Sequence, residues 1–130
     1  MHTLAGMKTL FGFVVLFAAS LCLQAQEIDK VDATDLDALR GRAGLDTAVV
    51  GEVLVIGTTK DGGMTFLNVG AGKKQGFVAV VFRSAYAEFP DGFEKYKNQK
   101  VMVTGPIELY RGDQPQIIIK APEQLTIVED

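Results

Sequence analysis

Residues 47–58 read Thr-Ala-Val-Val-Gly-Glu-Val-Leu-Val-Ile-Gly-Thr, and this run decides the fold. Seven of its twelve residues are β-branched, the class that packs best on a pleated surface. The run is long for one strand, and Gly51 and Gly57 mark a bulge or a bend within it. Lys60-Asp61-Gly62-Gly63 then supplies a turn. Downstream, residues 64–69 (MTFLNV) form a second expected strand and residues 70–76 (GAGKKQG) a Gly-rich connection. Residues 77–82 (FVAVVF) form a third, apolar on both faces. The strand rhythm stops at 84–96, where Ser84 can cap a short helix ending near Phe89-Pro90-Asp91-Gly92, with a second turn at 93–96. Residues 100–110 (KVMVTGPIELY) give a fourth strand bent at Gly105-Pro106. A tight turn at 111–114 leads to a fifth strand at 115–120 (PQIIIK), and residues 124–128 add a short terminal extension.

Five strands, the first long and bent, with a helix between the third and fourth, describe an all-β OB-fold, a five-stranded, partly open Greek-key barrel. An SH3-like barrel is the competing five-stranded arrangement, and the helix position favours the OB order. The expected domain covers residues 46–130. Upstream, residues 26–45 read as an acidic leader, either frayed or packed as a single helix turn on the domain edge, with five acids and one lysine between 27 and 37. Val31, Leu36 and Leu39 can form one face of a helix turn, with Asp32 or Thr34 as its cap.

The densest apolar run lies at 10–23, LFGFVVLFAASLCL, 14 uncharged residues preceded by Lys8. A membrane-spanning helix needs about 20 residues. The pattern instead matches a secretory signal at residues 1–25, with cleavage after Ala25. Met7-Lys8-Thr9 resembles the normal start of such a signal, and Cys22 reads as a passenger because Leu21 precedes it. Export to the periplasm or medium follows, with no stable membrane insertion of the mature chain. Cleavage would remove the one histidine and the one cysteine and leave 12 basic and 16 acidic residues, a net charge of −4. Such a chain can hold no disulfide, thiolate nucleophile, Ser-His dyad, or His- or Cys-ligated zinc. No catalytic residue, cofactor or metal is expected, and the acidic balance excludes a strong duplex-DNA binder.

Val49-Val50-Gly51-Glu52-Val53, Gly63-Met64-Thr65-Phe66-Leu67-Asn68-Val69, Val101-Met102-Val103-Thr104-Gly105-Pro106-Ile107, and Tyr110-Arg111-Gly112 with Pro115-Gln116-Ile117 form a connected set. Together they resemble bacterial single-domain OB-fold proteins related to the anticodon-binding domain of class II aminoacyl-tRNA synthetases. The resemblance covers about residues 47–128. It implies nucleic-acid binding, with Phe66 at the position of the family's base-stacking phenylalanine; the family's third-strand glutamine has no counterpart in 77–82. In fold and compartment alone the chain is also similar to periplasmic OB-fold stress-tolerance proteins. An envelope protein or small ligand is therefore the competing partner.

Strand alternation puts Met64, Phe66 and Asn68 on one face and Thr65, Leu67 and Val69 on the other. The first set reads as a recognition face, the second as core; the opposite register would bury Phe66. Lys60, Lys73 and Lys74 lie in the loops flanking that strand, Arg83 follows the third strand, Tyr110 and Arg111 sit at the fourth turn, and Lys120 ends the fifth strand. Lys60 and Arg111 are expected to face a polyanion together. Three or four such phosphate contacts on a single strand imply a log–log salt slope of roughly −2 to −3. Arg111-Gly112-Asp113 also spells RGD, although Gly-Asp is what a hairpin turn needs anyway.

Overall fold

The structure, a computed structural model, describes residues 30–71 and 76–129. The expected signal peptide with Cys22, the first residues of the leader, and Lys73 and Lys74 lie outside the described residues. Strands β1 (Lys30–Asp32), β2 (Asp46–Thr58), β3 (Met64–Val69), β4 (Phe77–Phe82), β5 (Lys100–Pro106), β6 (Glu108–Tyr110), β7 (Gln114–Ile119) and β8 (Leu125–Ile127) form one sheet. A short helix, α1 (Leu36–Arg40), lies between β1 and β2. The strand order is β6-β7-β4-β3-β2-β5-β8, with β1 added beside β2. Its parallel β4–β7 pair, flanked by antiparallel partners on both sides, gives an all-β, OB-like arrangement.

β2 is broken as expected, though the shift falls between Gly51 and Gly57 rather than at either glycine. Its first half, Asp46 to Glu52, pairs with β5, and its second half, Val53 to Thr58, pairs with β3 across a register shift between Val53 and Val55. One strand thereby serves two neighbours, and the sheet curls around Val49, Val53, Leu67, Val69 and Ile117, all fully buried.

The five expected strands become eight. The fourth is split into β5 and β6, and β1 and β8 are additional. The split has a backbone cause. Gly105 adopts φ +146°, and a Cβ there would stand 2.8 Å from Ile117 Cγ2. Two residues on, the Ile107 N–H donates to the Leu45 carbonyl at 3.1 Å and its carbonyl accepts from Gly44 N–H at 2.7 Å. These bonds take Ile107 out of the sheet ladder. The ladder between β5 and β7 is open, and Gln124 bridges it. Its Nε2 donates to the carbonyls of Thr104 (3.0 Å) and Ile118 (3.1 Å), while its Oε1 accepts from the N–H groups of Lys120 and Ala121.

The expected helix between the third and fourth strands is instead two 3₁₀ turns, Arg83–Glu88 and Glu94–Tyr96. Ser84 does not cap: the turn starts one residue earlier, with Phe82 at its N-terminal boundary and no side-chain cap bond. Pro90 disfavours helical geometry at Phe89, so the segment is too short to sustain an α-helix.

Residues 30–45 pack on the curled sheet. Val31 lies on a strand rather than on a helix face, and Val31, Ala33 and Leu39 are buried. The cap of α1 is Asp35, whose carboxylate accepts from Ala38 N–H at 3.3 Å, whereas Asp32 holds the N–H and hydroxyl of Thr34. Gly51 makes room for this segment: a Cβ there would lie 2.7 Å from the Ala33 methyl. Among the described residues no helix is long and apolar enough to cross a membrane.

Candidate binding face

β3 separates the two faces of the sheet. Thr65, Leu67 and Val69 point into the core, at 4%, 0% and 0% exposure. A threonine is a poor core residue unless its hydroxyl is bonded. Here it lies 2.9 Å from the Tyr86 hydroxyl and 3.2 Å from Thr58 Oγ1. Met64, Phe66 and Asn68 therefore occupy the outer face.

Phe66 is half-buried, with Gly57 opposite it on β2 and Val80 opposite it on β4. Its ring lies across Gly57. A Cβ on that glycine would stand 2.6, 2.8 and 3.3 Å from Cζ, Cε2 and Cε1. These are the three distal carbons of the ring, so its outer end lies over the glycine. The side chain is partly open to solvent. Asn68, expected beside it as a recognition amide, is buried at 5% and presents little surface.

The turn between β2 and β3 is braced from within. The Asp61 carboxylate accepts from Gly63 N–H at 2.9 Å and from the Thr59 hydroxyl at 2.7 Å. The Gly63 N–H first, then the Thr59 hydroxyl, hold its pKa below the ordinary aspartate value, with a smaller contribution from the charge of Arg83. Arg83 donates through Nη2 to the Asp61 carbonyl at 2.5 Å, with a longer Nε contact to the Gly62 carbonyl at 3.5 Å. Arg83 is thus a strut for this turn, while Lys60 stands exposed on it.

Lys60 and Arg111 do not converge. The 59–63 turn adjoins the Met64–Phe82 rung, whereas the 111–113 turn lies toward the Phe77 end of β4. The length of β4, about 17 Å, separates these ends. Arg111 instead sits over the Tyr110 ring, 5.3 Å from its centroid, at φ +53°. Tyr110 is half exposed. Asp113 of the RGD tripeptide is held by Arg40 of α1, whose Nε lies 3.0 Å from the Asp113 carbonyl and 3.4 Å from its Oδ1. The tripeptide is a braced hairpin turn.

The cation brought to the Phe66 end of the sheet is Lys120. Val81 pairs with Ile119, so Lys120 falls beside Phe82. Phe82 is 43% exposed, the most open large apolar side chain of β3 and β4. Sequence reading placed it only in a strand apolar on both faces. Strand alternation, carried from Val78 through Val80 to Phe82, was the signal that could have put it on the Phe66 face. Among the described residues, no three His, Cys, Asp or Glu side chains gather where a metal ion could be held.

No protein-family model matches the chain, and no curated protein does. Among solved structures, the chain is similar to aspartyl tRNA synthetase from Entamoeba histolytica, at 15% identity and a TM-score of 0.48. That match covers 75% of this chain and 22% of the synthetase chain. At that level of likeness, the OB-like description stands on the strand order and pairings given above.

Proposed function

We propose that the chain is a non-catalytic OB-like module that binds short single-stranded nucleic acid on the outer face of β3 and β4. The observation that carries this reading is the Phe66 ring, laid over Gly57 and partly open to solvent. A ring held against the sheet and partly open offers a platform to an unpaired base, and such stacking contributes about 1–3 kcal/mol per base. Held in place before binding, it loses little freedom when a base arrives. The net charge, −3 for the whole chain and −4 after cleavage, opposes a polyanion and keeps affinity modest. The face offers Lys60 and Lys120 as phosphate contacts, which lowers the expected log–log salt slope to roughly −1.4. Export, with cleavage after Ala25, belongs to the same proposal and rests on the apolar run at 10–23.

Fluorescence anisotropy with a labelled single strand of about 15 nucleotides tests the reading at low salt. Wild type should bind weakly, and Phe66→Ala should bind about 5-fold to 100-fold less tightly. No binding at about 20 mM salt refutes it. An envelope protein captured equally well with and without nuclease, with no oligonucleotide binding, would put a protein partner in its place.

A further inference from the structure

Phe82 leaves a large apolar side chain in water on a face where Val78 and Val80, four and two residues before it, are buried. It stands between two surface hollows. One is lined by Thr59, Lys60, Asp61, Gly63 and Met64, the other by Ser84, Glu88, Ile118 and Lys120. We infer that Phe82 is a second stacking platform and that Lys60 and Lys120 hold the phosphates on either side of it, so that the face takes two successive unpaired nucleotides. This inference rests on the single-strand reading above and deepens it.

The spacing is set by the ladder. Phe66 stands opposite Val80, so Phe82 is its diagonal neighbour two residues further along β4. Diagonal neighbours on adjacent strands lie about 7–8 Å apart at the backbone. The Phe66 ring leans toward Gly57 on β2, away from β4, so the rings stand farther apart than that and the two bases must be splayed to reach both. Met64, opposite Phe82 on β3, fills the sheet between the two rings with an apolar, polarizable side chain.

Each hollow pairs one cation with one carboxylate, Lys60 with Asp61 in the first and Lys120 with Glu88 in the second. The Asp61 carboxylate is tied to Thr59 and Gly63. Lys120 is held at its backbone, where its N–H donates to Gln124 Oε1 at 2.8 Å.

Competition with unlabelled thymidine mono-, di- and trinucleotides against a labelled 15-mer reads the footprint. Wild type should gain about 5-fold or more from mono- to dinucleotide and much less from di- to trinucleotide. Phe82→Ala should lose that gain and Phe82→Tyr should keep it, with melting temperatures confirming that all three proteins fold. Lys60→Ala and Lys120→Ala should each flatten the salt slope by about 0.7. If Phe66→Ala weakens 15-mer binding while Phe82→Ala leaves it unchanged, the second platform is overturned and the single-strand reading survives. If wild type binds no single strand at all, both fall together.

Discussion

Leu39→Ala tests whether residues 30–45 belong to the folded body. Leu39 is fully buried in a helix of only five residues, far too short to persist on its own propensity. What holds α1 in place is the burial of that side chain in the same cluster as Val31, Val49 and Ile107. Its other ties are weak: Arg40 pairs with Asp37 at 3.2 Å and Asp113 at 3.4 Å, both largely exposed, and such pairs contribute at most about 1 kcal/mol. Truncating a buried leucine to alanine costs about 2–5 kcal/mol, through lost transfer energy and the cavity left behind. Against a total stability of about 5–15 kcal/mol this is a large fraction. At 4–8 °C per kcal/mol for a domain of this size, a cost of about 3 kcal/mol lowers the melting temperature by roughly 12–24 °C. Leu45→Ala is the control. That side chain is 58% exposed, and its loss should stay within about 0.5 kcal/mol. Urea unfolding followed by far-UV circular dichroism measures both. A Leu39→Ala protein within about 0.5 kcal/mol of wild type would refute the packing and return the segment to a leader.

Other outcomes follow from single contacts. Gly57→Ala puts a methyl 2.6 Å from Cζ of Phe66. The partly exposed ring can swing outward, so stability should change by less than about 1 kcal/mol while oligonucleotide affinity falls toward that of Phe66→Ala. Unchanged affinity would show that the seating of the ring on the glycine is irrelevant. Arg111 holds φ +53°, a conformation asparagine tolerates better, so Arg111→Asn should raise stability by about 0.5–1 kcal/mol in thermal melts; a lower melting temperature would show that the contact with Tyr110 outweighs the strain. Asp32 and Asp61 both have folded pKa values below their ordinary range, Asp32 chiefly through the hydroxyl and N–H of Thr34. A depressed folded value means that their contribution is present above about pH 4 and is lost as pH falls through the folded value. Urea midpoints from pH 6 to 2 should fall less steeply for Asp61→Asn than for wild type, and identical curves would remove Asp61 from the acid response.

The sequence by itself determined the strands and turns, because the signals for these are local. β-Branched runs, period-2 alternation and Asp-Gly or Gly-Pro punctuation all act over a few residues. The bend of β2, the alternation along residues 64–69 and the hairpin at Gly112 were all legible this way. Only the tertiary structure decided which face of β3 is outside. The Thr65 hydroxyl needed a partner, and Tyr86, 21 residues away in the chain, supplied it. Tertiary contacts likewise added β1 ahead of the expected helix turn and fixed where the segment docks, since Gly51 and Ile107 offer the space and backbone groups that it uses. The grouping of cations was hidden for the same reason. Arg83 is occupied by carbonyls 21 and 22 residues back, Arg111 is carried to the far end of the face, and Lys120 arrives beside Phe82 through a parallel pairing 38 residues apart in sequence. Alternation tells a residue which side of its own strand it is on, but which residues meet across strands depends on pairing and register, and those are settled only when the whole sheet closes around its core.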